Sequence, residues 1–221
     1  MKAIIYLTIV FFIAMQTPLL GQSSDAPKYF DNPEEAVKQA TSDMIQTIKE
    51  LEQFNFGIDP EHLKKAKPGP VIENAELNFE RLLNSEADMD ISKLADKTKN
   101  YLYPLYFDKK VLTLVELKKE EKGWLIRGFS PLGVADELSA LLRSYPDLQK
   151  LKIAKYEIQN LASNVYIIVV NGKQNIHTNY NNKFSLNQPT PSSEALKILK
   201  EDAIKFKKEF GDIVKKQKLV D

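Results

Sequence analysis

The sequence predicts an α+β protein: antiparallel β-meanders of about six strands packed with helices, preceded by an N-terminal helical pair. Three observations lead there. Apolar residues recur at spacings of three and four over 36–51 and again over 195–214, the period of a helix with one buried face. Between 101 and 180 the pattern shortens to aromatic and β-branched runs separated by charged or Asn-Gly turns. The links between those runs are too short for parallel crossovers, so the strands should pair as antiparallel meanders.

Composition narrows the function before any motif is read. The chain has 221 residues, 43 % of them hydrophobic, enough for one sizeable core. Lys+Arg 31 against Asp+Glu 30 gives a formal charge of +1, so a nucleic-acid partner held by a broad positive field is not expected. The absence of cysteine excludes disulfides, a thiol nucleophile and cysteine-held zinc or iron–sulfur, and two histidines leave little for a multi-histidine metal centre. Neither a metal nor a cofactor is expected.

The first element is a targeting signal. Lys2 precedes an apolar run over Ala3–Met15, which Gln16-Thr17-Pro18 breaks ahead of Leu19-Leu20-Gly21. At 1.5 Å per residue that run spans about 20 Å, short of the roughly 30 Å needed to cross a bilayer. The layout is that of a secretory signal peptide over 1–21, cleaved near Gln22 and leaving no transmembrane anchor. Removing it takes Lys2 and no acid, so the mature chain is formally neutral. With no cysteine and no Asn-x-Ser/Thr sequon, an exported chain suits a bacterial periplasm or exterior.

A polar tether over 22–31 follows, and then a single α+β domain over 32–221. Its helical part covers about 32–84. Asn32 caps, Pro33 takes the first helical position, and the stripe Ala36, Val37, Ala40, Met44, Ile45, Ile48 and Leu51 points inward. Residues 58–70 read as a Pro-rich connection. Val71–Leu83 reads as a second helix facing inward through Ile72, Ala75, Phe79, Leu82 and Leu83, and one helical turn is expected around Ile91–Ala95.

Two βββα units follow, over about 101–145 and 152–217. Tyr101–Phe107 is a strand that Pro104 marks as an edge or a bulge; Val111–Lys118 and Trp124–Phe129 complete the first meander. Ser130 is expected to cap the next helix and Pro131 to take its first position, with Val134, Leu138, Leu141 and Leu142 inward. Lys152–Gln159, Val165–Val170 and Gln174–Tyr180 form the second meander, with Asn171-Gly172 as its hairpin turn and Val165–Val170 as a central strand covered on both faces. A long helix from Ser193 to Gln217 closes the chain.

Motifs for catalysis fail one by one. Gly128-Phe129-Ser130-Pro131-Leu132 lacks the second glycine of a nucleophile elbow, so Ser130 reads as a cap. Asp88, Asp90 and Ser92 open like a calcium loop, but Lys93 and Lys99 stand where glycine and glutamate are required. His62 and His177 have no second histidine at ligand spacing. Lysines and acids interleave along the last helix as on a solvated face. No catalytic residue is assigned.

What remains is binding. Tyr101, Tyr103 and Tyr106, near Trp124, lie on a strand whose proline suggests an open edge, where aromatic side chains and free backbone groups could anchor an incoming chain; core packing is the competing use of the same rings. Asn175, His177 and Asn179 share one face of a strand, opposite Ile176, Thr178 and Tyr180, and read as a solvated face able to serve in recognition. The expectation is an exported, non-enzymatic domain that binds a protein or peptide in the bacterial envelope. Alternatives are a small secreted hydrolase with a dispersed carboxylate pair, or an inhibitor-like or chaperone-like partner of a secreted enzyme.

Overall fold

The computed structural model describes residues 27–86, 89–145, 147–178, 180 and 184–217. The segment 1–21 read as a signal peptide, most of the span read as a tether, Asp88 and Asn179 lie outside the described residues.

The chain forms an α+β fold built on one mostly antiparallel sheet of nine strands. After the two-residue β1 (Tyr29–Phe30), helix α1 runs over Pro33–Glu50. Asn32 caps it as expected, its side-chain oxygen accepting from the Glu35 amide at 2.9 Å. Within the span read as a connection stand a short helix α2 (Pro60–Lys65), capped by Asp59, and β2 (Lys67–Pro68). Strand β3 (Ile72–Glu76) and the one-turn helix α3 (Phe79–Leu83) come next.

The helix expected over Val71–Leu83 is therefore a strand and a turn. Apolar positions 72, 75, 79, 82 and 83 satisfy a helical spacing, but β3 finds strand partners on both sides, β4 (Asn100–Phe107) and β7 (Lys152–Ile158). Asn78 then starts α3, accepting from the Arg81 amide at 3.0 Å.

The first meander is β4, β5 (Lys110–Glu120) and β6 (Gly123–Phe129); the second is β7, β8 (Ser163–Val170) and β9 (Lys173–Thr178). Helix α4 (Leu132–Leu142) follows β6, and α5 (Ser192–Gln217) follows β9. The sheet order is β1-β6-β5-β4-β3-β7-β8-β9, with β2 beside β4; among the described residues only β3–β7 is parallel. Three strands go beyond the six expected from the sequence, β1, β2 and β3, and β3 is the one that joins the two meanders. The β8–β9 turn is the expected one: Asn171 and Gly172 both take positive φ, 50° and 78°.

Side-chain alternation sorts the core onto two faces. Ile72, Leu102, Leu114, Ile153, Tyr166 and Ile168 meet Leu138, Leu141 and Leu142 of α4 on one face. On the other, α1 covers Tyr103, Leu105, Val115 and Leu117, while α5 covers Ile158, Val165, Ile167 and Ile176. Strand β8 is interior and buried on both faces, as its VYIIVV run implies.

Two local expectations are corrected. Pro104 does not mark an edge, because β4 lies between β3 and β5. Its carbonyl accepts from the Gly69 amide at 2.8 Å, so its missing N–H faces the same side, where the neighbouring strand is interrupted between β2 and β3. The anticipated bulge is present, between Leu105 and Tyr106. Gly69 must be glycine: a Cβ there would lie 2.0 Å from the Tyr106 ring. Ser130 is not the cap of α4, for Pro131 holds that position with no side-chain hydrogen bond. The Ser130 hydroxyl donates instead to the Glu116 carboxylate at 2.8 Å.

Candidate functional site

On the α4 face, the strands change from apolar to polar at the same end of the sheet. In β3 Asn74 follows Ile72, in β5 Glu116 follows Leu114, and in β7 Lys155 and Glu157 follow Ile153; in the oppositely directed β4, Asn100 precedes Leu102. Register puts Asn74 directly beside Asn100 and Lys155. The result is a hydrogen-bonded row across four strands.

The row can be followed atom by atom. Ser130 Oγ donates to Glu116 Oε1 at 2.8 Å and Asn100 Nδ2 to Glu116 Oε2 at 3.0 Å. Asn74 Nδ2 donates to Asn100 Oδ1 at 2.7 Å and to Glu157 Oε1 at 3.2 Å. Lys155 Nζ donates to Glu157 Oε1 at 2.6 Å and to Asn74 Oδ1 at 3.3 Å. Beyond it, Tyr166 Oη and Asn164 Nδ2 both donate to Glu137 Oε2 of α4, at 2.7 and 3.1 Å.

Burial grades along the row. Lys155 and Asn74 are 3 % and 4 % exposed and form its floor, whereas Asn100, Glu116 and Glu157 are half-buried and reach solvent. An ammonium this deep is tolerable only with a counter-charge and hydrogen bonds, which Glu157 and Asn74 supply. Desolvation would raise the Glu157 pKa, but the hydrogen bond and charge of Lys155, with help from Asn74, outweigh it and hold the group below the ordinary carboxylate value. Burial, with the Glu137 charge beside it, pushes the Tyr166 phenol well above its usual value, so it stays a donor. Among the described residues, no group of three or more His, Asp or Glu side chains could hold a metal ion.

The residues singled out in the sequence fall elsewhere. Tyr103 is buried against α1, Tyr101 is half-buried, and both rings meet Trp124 edge-on at centroid distances of 5.2 Å for Tyr101 and 6.4 Å for Tyr103. Tyr106 lies on the opposite face, its hydroxyl buried with no hydrogen-bond partner among the described residues. These rings pack in the cores of an interior strand, so the open edge that recommended them is absent. His177 is 0 % exposed rather than solvated. Tyr145 covers Nε2 at 2.6 Å and the Leu186 carbonyl covers Nδ1 at 2.8 Å. Asn175 is half-buried beside the Tyr145 hydroxyl. The structure brings His177 and Asn175 together with Tyr145, but not with the tyrosines of β4.

Sequence reading misses the row because its members are scattered from residue 74 to residue 157. A usable signal does exist: a polar residue at a core-parity position at the end of each successive strand. Compared with known proteins, the chain matches no family model, no curated protein and no solved structure.

Proposed function

We propose that this chain is an exported, non-enzymatic domain of the bacterial envelope or exterior that binds a protein or peptide partner, and that the polar row on the α4 face is where it binds. The observation that carries this reading is the row itself. Deep, mutually bonded Lys155 and Asn74 hold the half-buried Asn100, Glu116 and Glu157 in place at one end of the sheet. Side chains fixed in this way lose little entropy when a partner's donors and acceptors dock on them. Export is supported by Lys2 and the apolar run over Ala3–Met15.

A small hydrolase is the second reading, favoured by the gathering of Glu116, Glu137 and Glu157 on one face. Binding fits Glu157 better: a general acid needs a carboxyl kept neutral, and Lys155 holds this one ionised.

The test uses protein recovered from an exporting host, immobilised and exposed to envelope extract. Wild type and a Lys207→Ser control should retain the same bound protein, and Asn100→Ala should lose it while its circular dichroism is unchanged. Equal capture by all three overturns the proposed site. Turnover of a peptide or glycan that Glu116→Gln abolishes would establish the hydrolase instead.

A further inference from the structure

Glu116 differs from the other acids of the row. Its two oxygens accept from Ser130 and Asn100, both neutral, and no cation pairs with it among the described residues. Glu157, by contrast, has Lys155 at 2.6 Å. A half-buried carboxylate fixed by two donors but left without a counter-charge is a strong acceptor awaiting a cation.

There is room beside it. Gly128 of β6 is the register partner of Glu116, so both positions project onto the same face. A Cβ built at Gly128 meets nothing within 4 Å, and the same holds at Gly133 in the first turn of α4. The basic residue of β6, Arg127, is exposed, and Lys118, two residues along β5 from Glu116, is paired with Glu120 at 2.8 Å. The carboxylate therefore lies beside the open space at Gly128, and no cation among the described residues is paired with it.

We propose that Glu116, held by Ser130 and Asn100 beside the gap at Gly128, is the subsite for a cationic side chain of the partner, a lysine ammonium or an arginine guanidinium. The inference rests on the reading of the row as a binding site and names the chemistry of what it takes. A cation entering beside Gly128 keeps the bonds from Ser130 and Asn100, since a carboxylate has about four acceptor positions and these use two.

The probe is N-acetyl-lysine-N-methylamide, titrated into isotope-labelled mature protein and followed by amide chemical shifts. Saturable shifts centred on Glu116, Gly128 and Ser130 are expected, weakened by added salt. The Nε-acetylated form of the same probe should give at least tenfold weaker binding or none. Glu116→Gln, which keeps the shape and can still accept, should remove the response to the charged probe. Equal shifts from the charged and acetylated probes overturn the proposal, and that comparison needs only wild-type protein. So does an unchanged response in Glu116→Gln, or the absence of any shift at these amides. If Asn100→Ala abolishes capture of the envelope partner while Glu116→Gln leaves it intact, the row binds but not through a cation. If neither variant alters capture, the reading of the row itself fails.

Discussion

His177 illustrates how a single residue is set by what folds over it. A carbonyl can only accept, so the Leu186 oxygen requires the proton on Nδ1, which leaves Nε2 to accept from the Tyr145 hydroxyl. Both nitrogens are thus satisfied by the neutral ring. Burial lowers the pKa below 6.5, only partly opposed by the Leu186 carbonyl. The unfolded chain then binds the proton more readily than the folded one, so this group stabilises the fold fully above pH 6.5 and progressively less as pH falls below it. Between about pH 7.5 and about pH 5.5, the urea midpoint should fall more for wild type than for His177→Gln. Equal slopes would show that His177 is not the titrating group. This burial is not legible along the chain. Alternation places Asn175 and His177 on a common face correctly, but nothing in β9 reveals that the Thr190 amide bonds back to Ile176 and brings the preceding segment over that face.

Among the elements, strands with strong internal patterns are legible and those defined by their neighbours are not. β8 reads as a central strand from its own residues, because an apolar run in a sheet needs cover on both faces. Ile167 is 3 % exposed, packed between its strand neighbours and α5. Ile167→Asp should therefore cost several kcal/mol, since the carboxylate would enter an apolar core with no partner. Lys207 makes only an exposed ion pair with Glu80, so Lys207→Ser should cost no more than about 1 kcal/mol. Thermal melts of the two variants check the contrast, and comparable shifts would mean that the core has been misassigned. β3 is illegible for the opposite reason. IENAE has little apolar content of its own, and it becomes a strand because β4 and β7 supply hydrogen bonds on both sides. The same dependence on neighbours hides the polar row, in which each residue is ordinary along its own strand.

For the molecule as a whole, the position of β3 governs how it should unfold. Two meanders read in succession suggest two halves that could melt separately. In the sheet, however, β3 pairs with β4 of the first and β7 of the second, and the core under α4 draws Leu102 and Leu114 from one and Ile153 and Ile168 from the other. α4 is also tied to both: Ser139 Oγ accepts from the Val111 amide of β5, and Glu137 accepts from Tyr166 of β8. Opening either meander would therefore strip cover from the other and expose Lys155 and Asn74 without their partners, a cost that couples the halves. One cooperative transition is expected. The single tryptophan of the chain, Trp124, lies on β6, so its fluorescence reports the first meander alone. The Ile167 amide, followed by NMR through the same urea series, reports the second. The two curves should share a midpoint, and Ile72→Ala in β3 should move both by the same amount, about 2–5 kcal/mol for a fully buried side chain. Separate midpoints, or a shift confined to one probe, would show two independently stable units and leave β3 as a simple connector.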